Sequence, residues 1–146
     1  MKSTRRFLFA GWSGEVSDGL IAADRLEATI RRLADPGQAK ETLHWGGNYL
    51  YTMKLPEARM NGAGREVVVK QFPGNGWRAR WQRRLLGSRA RRSWRAALAV
   101  AGAGVPTPEP LFLIESERAD GPSLYVTRKL DDFFESRYYF RAIAEG

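Results

Sequence analysis

Lys70 is the side chain in this sequence best suited to hold a phosphate group. It ends the β-branched run Val67-Val68-Val69, which is typical of a strand. A second strand is predicted from Asn48 to Leu55, where apolar side chains alternate, and Gly46-Gly47-Asn48 forms a turn at its start. Backbone that carries no side chain can approach a phosphate closely, and a nearby ammonium group supplies the opposite charge. A lysine beside a glycine turn would therefore form an anion site.

The register of a hairpin decides whether these residues meet. We expect the two strands to pair around Met60, so that paired residue numbers sum to about 120 and Lys70 lies opposite Leu50. In that register the lysine lies next to the glycine turn, on the face that carries Asn48 and Thr52. A shift by one residue would move Lys70 to the other face of the sheet.

The remaining patterns predict an α+β fold built on a twisted antiparallel sheet of about five strands. A helix from Ser88 to Ala101 follows the lysine strand, and Trp94 and Leu98 lie on the face that would pack on the sheet. Two short apolar runs, Leu111 to Ile114 and Leu124 to Thr127, indicate a second hairpin. We expect both hairpins to share one sheet, with this single helix packed against it.

The chain divides into three predicted parts. Residues 1–40 are expected to form an N-terminal extension with a peripheral helix from Ser17 to Leu33. Residues 41–130 contain the sheet and its packed helix. Residues 131–146 begin with two acidic residues, which favour a helix start, and are expected to be a connector into a further lobe.

Composition and charge limit the classes of function. The 146 residues contain no cysteine and a single histidine, His44, which argues against a disulfide framework, a zinc cluster and a thiol nucleophile. The longest nearly apolar run, Ala96 to Val105, is too short to span a bilayer, so a cytoplasmic protein is expected. The 24 Lys and Arg residues exceed the 16 Asp and Glu residues by 8, which predicts anionic partners.

Four segments together resemble the lipopolysaccharide (Kdo/heptose) kinase family, which has a protein-kinase-like fold and phosphorylates inner-core sugars from ATP. The segments are Val67 to Phe72, Ser88 to Arg95, Gly104 to Pro110 and Ser123 to Thr127. A glycine-containing strand turn, a lysine strand, a helix and two further strands follow one another as in the small lobe of such kinases. The resemblance covers Thr42 to Leu130.

This resemblance implies that the chain is the nucleotide-binding N-terminal lobe of an ATP-dependent lipopolysaccharide core sugar kinase. Lys70 would be the catalytic lysine on the α- and β-phosphates of ATP. The Mg²⁺ ligands and the catalytic loop would come from a lobe outside this chain, which alone would be inactive. Kinases of this kind orient the lysine with a glutamate from the intervening helix, and the predicted helix contains no acidic residue. Either another carboxylate such as Glu66 serves, or Lys70 is less well organised than in an active kinase. The nucleotide-binding residues implied are Gly46, Gly47, Asn48, Lys70, Arg128, Lys129 and Leu130.

An arginine cluster leaves a second interpretation open. Eight arginines lie between Arg78 and Arg95, together with Trp81 and Trp94. They could form a solvated helix face, a surface for anionic lipid or phosphorylated lipopolysaccharide at the inner membrane, or a nucleic-acid surface. The alternative function is therefore a basic, non-enzymatic module that binds nucleic acid or an anionic membrane. Nucleic acid is the weaker of these candidate partners.

Overall fold

One antiparallel sheet and three α-helices form the part of the chain that the computed structural model describes, residues 3–56, 58–59, 66–74 and 76–130. The strand order in the sheet is β1-β2-β6-β7-β5-β4-β3. The α+β class and the antiparallel sheet are confirmed. The elements are β1 (Thr4–Phe9), β2 (Trp12–Ser17), α1 (Ala23–Leu33), β3 (Glu41–Trp45), β4 (Tyr49–Lys54), β5 (Glu66–Phe72), α2 (Trp77–Leu86), α3 (Arg89–Gly102), β6 (Pro110–Ser116) and β7 (Ser123–Arg128), with a short 3-10 turn at Pro36–Gln38.

In the part of the chain that the structure describes, the sheet has seven strands, so the expected number of about five was wrong. The two additional strands, β1 and β2, form a hairpin in the segment that the sequence assigned to an extension, and β2 pairs with β6. Gly14 makes this pairing possible, because a Cβ at that position would lie 1.8 Å from the carbonyl oxygen of Leu113. The hairpin is therefore part of the same sheet as the lysine strand.

The helix α1 covers one face of the sheet and is not peripheral. The sequence predicted a helix from Ser17, but α1 begins at Ala23. The difference arises because Ser17 is the last residue of β2 and a turn follows it. Leu26, Ile30 and Leu33 share one side of the helix and are buried in the main core with apolar residues of the sheet. Two helices, and not one, therefore pack on the sheet.

The helix α3 covers the opposite face, as the sequence predicted. Ser88 caps its N-terminus by accepting a hydrogen bond from the Arg91 backbone N–H at 3.0 Å. Trp94 is 1% exposed and packs in a second core with Phe72 and Tyr125. The expected packing of this helix through Trp94 is confirmed, and Leu98 lies partly buried beside it.

The predicted hairpin register is also confirmed. Lys70 of β5 lies opposite Leu50 of β4 and, on its other side, opposite Tyr125 of β7. The two predicted hairpins therefore share one sheet through β5 and β7. The expected centre of the first hairpin near Met60 and the expected connector at 131–146 lie outside the described residues.

Candidate functional site

Lys70 lies on the face of the sheet that α3 covers. Residues directly opposite each other in an antiparallel sheet point to the same side, so Lys70 shares that side with Tyr125, which belongs to the core beneath α3. The Lys70 Nζ atom lies 5.2 Å from the centre of the Phe72 ring. The sequence therefore positions this ammonium between the sheet and the start of α3.

A second cation lies close to Lys70. The Arg89 guanidinium carbon lies 5.8 Å from the centre of the same Phe72 ring. Burial of the lysine, and then repulsion from Arg89, lower the pKa of Lys70 below its ordinary value. Both effects disfavour the positive charge in the absence of an anion, so an anion bound here would relieve the repulsion and restore the pKa.

A cavity of about 440 Å³ lies beside these cations. Its volume is in the range of small-molecule sites. Gly46 and Gly47, from the turn between β3 and β4, form one side, and a Cβ at Gly47 would contact nothing within 4 Å. Phe72, at the end of β5, also lines the cavity, and the Lys70 ammonium, which does not line it, lies 5.2 Å from the centre of the Phe72 ring.

The other side of the cavity is cationic. Arg83 of α2 and Arg89 and Arg92 of α3 line it, and no Asp or Glu is among the described residues that do so. Ser88, the N-cap of α3, also lines it, so the positive end of the α3 dipole faces the cavity. Glycine backbone, three guanidinium groups and a helix N-terminus together form an environment that favours an anion with several oxygens.

Only some of the sequence-predicted site residues lie together. Gly46 and Gly47 line the cavity, but Lys70 and Asn48 do not. The Asn48 carbonyl accepts a hydrogen bond from the Gly46 N–H at 3.2 Å within the turn. The three residues expected to meet adenine do not line this cavity. They lie at and after the end of β7, which is paired with the beginning of β5. These residues are Arg128, Lys129 and Leu130.

The far end of β5 is bound by an ion-pair cluster around Glu66. The Glu66 carboxylate accepts hydrogen bonds from Lys40 and, at 2.9 Å, from Lys129, and these bonds lower its pKa. Glu66 lies four residues from Lys70 along the strand, a distance of about 13 Å. The sequence suggested Glu66 as a carboxylate that could orient Lys70. In the structure the Glu66 carboxylate instead binds Lys129, which follows β7, and Lys40, which precedes β3.

Sequence reasoning missed the role of Arg83, Arg89 and Arg92 as cavity-lining residues. The sequence shows a cluster of eight arginines, but it does not show which of them line a cavity. That choice depends on the break at Gly87, whose φ of 79° separates α2 from α3. A glycine between two arginine-rich segments was the available signal in the sequence.

No protein-family model, curated protein or solved structure matches this chain. Among the residues that the structure describes, no three His, Cys, Asp or Glu side chains are grouped so that they could hold a metal ion. No helix in the described ranges is long and apolar enough to cross a membrane.

Proposed function

We propose that the chain is an ATP-binding small lobe of the protein-kinase-like type, in which Lys70 holds the nucleotide phosphates. The observation that carries this proposal is the register of β4, β5 and β7. It places Lys70 opposite Leu50 and Tyr125, on the face of the sheet that α3 covers. Phe72, at the end of the same strand, lines the cavity together with the Gly46-Gly47 turn. A glycine turn over the phosphates and a lysine on a neighbouring strand are the two phosphate-binding parts of such a lobe.

The charge around the cavity supports a polyphosphate ligand. Arg83, Arg89 and Arg92 add to the charge of Lys70, so the site offers several cations to one ligand. A triphosphate carries several negative charges and distributes them over enough oxygens to contact both the turn and α3. A monoanionic ligand would leave most of these cations unneutralised.

The family resemblance is the only support for the identity of the phosphoryl acceptor. We propose that the phosphoryl group is transferred to a sugar of the lipopolysaccharide core, because the segments around Lys70 and Ser88 resemble that kinase family. Transfer also requires an oriented acceptor hydroxyl and Mg²⁺ held by oxygen ligands. In the described part of the chain, Lys70 and the arginines would bind and orient the phosphates, and the carboxylate-rich magnesium site would be supplied elsewhere.

Calorimetric titration with ATP and Mg²⁺ tests the nucleotide site. Lys70→Met is expected to lower the affinity about tenfold to a hundredfold, because one charge-assisted bond to phosphate contributes about 1.5 to 3 kcal/mol. Lys54→Met is the matched control, since Lys54 is an exposed lysine at the end of the neighbouring strand β4. The control is expected to bind ATP as the unchanged protein does.

The alternative, a basic module without a nucleotide site, predicts a different result. Such a module would bind anions through its summed charge, so Lys70→Met and Lys54→Met would weaken ATP binding equally and slightly. Its affinity would also fall steeply with salt for any polyanion. Equal affinities of the two variants would contradict the proposed site.

A further inference from the structure

The outer side of α2 is an exposed apolar stripe. Trp77, Trp81 and Leu85 follow one another at four-residue spacing and therefore lie along one side of the helix. Their exposed fractions are 68%, 58% and 75%. All ten residues of α2 are described, and none of them is buried. We call these three side chains the α2 stripe.

The opposite side of α2 faces the protein. The Arg83 guanidinium donates hydrogen bonds to the carbonyl oxygens of Ser116 and, at 2.9 Å, Gly121. Ala79 and Gln82, on the same side of the helix, line the cavity with Arg83. At about 100° per residue, the centre of the α2 stripe lies on the side of the helix opposite Arg83. The stripe therefore points away from the molecule.

Positive charge flanks the α2 stripe on both sides. Arg78 lies along one edge of the stripe, and Arg80 and Arg84 lie along its other edge. All three arginines are exposed. The sequence from Gln71 to Pro108 contains no Asp or Glu. Across the fold, Asp120 lies near enough to Arg80 for their charges to interact, which offsets part of the charge at that position. An apolar stripe with tryptophan, bordered by arginine, is the pattern of a helix that lies in a membrane interface.

We propose that α2 docks on an anionic membrane surface. The α2 stripe enters the boundary between headgroups and acyl chains, and Arg78, Arg80 and Arg84 contact the lipid phosphates. Leu85 distinguishes this partner from nucleic acid, because its aliphatic side chain cannot stack on a base as a tryptophan can. The cavity lies behind α2, so docking would bring the cavity close to the membrane surface. The proposal rests on α2 alone and does not depend on Lys70.

Vesicle flotation tests the proposal. The probes are vesicles of phosphatidylcholine alone and vesicles in which phosphatidylglycerol replaces about a third of the lipid. We expect binding to the anionic vesicles only, weakened by salt as charges are screened. The double variant R80Q/R84Q is expected to lower the partition coefficient roughly 30-fold, because each arginine near an anionic surface contributes about 1 kcal/mol. W77A/W81A is expected to lower it at least tenfold.

Matched controls come from exposed residues elsewhere. Arg6 and Arg25 are exposed outside α2, so R6Q/R25Q removes the same formal charge without changing the α2 surface. Leu8 is 71% exposed on β1, so Leu8→Ser removes exposed apolar surface away from α2 and is the apolar control for W77A/W81A. Because no residue of α2 is buried, the α2 variants should keep the thermal transition of the unchanged protein.

Four results would overturn the proposal. One is equal binding to the two kinds of vesicle, and another is equal loss in the α2 variants and their controls. A third is a loss of affinity for a single-stranded oligonucleotide in W77A/W81A with vesicle binding unchanged, which would identify the stripe as a base-stacking surface. The fourth is a dimer in light scattering that W77A/W81A converts to a monomer, which would show that the stripe pairs with a second copy.

Discussion

Arg83 is expected to hold α2 in place, and its loss should release this helix selectively. The guanidinium donates to the carbonyl oxygens of Ser116 and Gly121, and no residue of the fully described α2 is buried. Hydrogen bonds from a charged group contribute about 1.5 to 3 kcal/mol each. Because these two bonds are only partly buried, we assign each of them about 1 to 1.5 kcal/mol. Arg83→Met should therefore lower the free energy of opening α2 by about 2 to 3 kcal/mol.

Hydrogen exchange followed by mass spectrometry measures this opening. A loss of 2 to 3 kcal/mol corresponds to a roughly 30- to 150-fold increase in the exchange rate of α2 amides. Amides of α3 should exchange as before, because Trp94 and the Ser88 cap hold that helix independently of α2. Arg84→Met is the matched control, since Arg84 is the next residue, about 100° further around the same helix, and is exposed.

Two results would refute this reasoning. If Arg83→Met and Arg84→Met changed α2 exchange equally, the two carbonyl contacts would not be what holds the helix. If Arg83→Met accelerated exchange in α3 and the sheet as much as in α2, the helix would not open as a separate unit. In that case α2 would be part of the global unfolding transition.

Two further predictions concern stability. Trp94→Ala should lower the free energy of unfolding by about 3 to 5 kcal/mol in urea titrations, because it empties the core beneath α3, whereas truncation of the exposed Trp45 should cost far less. Burial acts to raise the pKa of Glu115, but hydrogen bonds from Arg91 and Ser88 outweigh it and hold the pKa below its ordinary value. The stability from this ion pair is therefore present above the ordinary carboxyl pKa and lost as the pH falls through the lowered one. Thermal unfolding between pH 3 and pH 7 should show this loss, and Glu115→Gln should weaken the pH dependence; a variant with an unchanged profile would contradict it.

The central sheet could be predicted because local patterns determine it. The β-branched residues before Lys70 and the alternation from Tyr49 to Leu55 predict two strands. Pairing them so that opposite residue numbers sum to 120 gives the register that the structure has. Trp94 and Leu98 likewise share one side of a helix, which is sufficient to predict the packed face.

The N-terminal hairpin and the cationic side of the cavity could not be predicted in this way. The pairing of β2 with β6 joins residues about a hundred positions apart and depends on the close approach of Gly14 to Leu113, which has no local pattern. The inward direction of Arg83 and Arg92 likewise depends on how α2 and α3 are set relative to each other at Gly87. Such contacts are tertiary, and a helix rich in arginine is locally consistent with many orientations.

A reactive ATP derivative tests the nucleotide site most directly. An acyl phosphate of ATP transfers its acyl group to an amine that lies beside the bound phosphates, and the nucleotide leaves. The chain has five lysines, so the position of the label among them shows which amine lies beside the bound phosphates. The proposed function predicts that mass spectrometry finds Lys70 labelled fastest and protected by excess ATP, while the exposed Lys54 is not protected. Equal labelling of the lysines, or labelling of Lys70 that ATP does not reduce, would contradict the site.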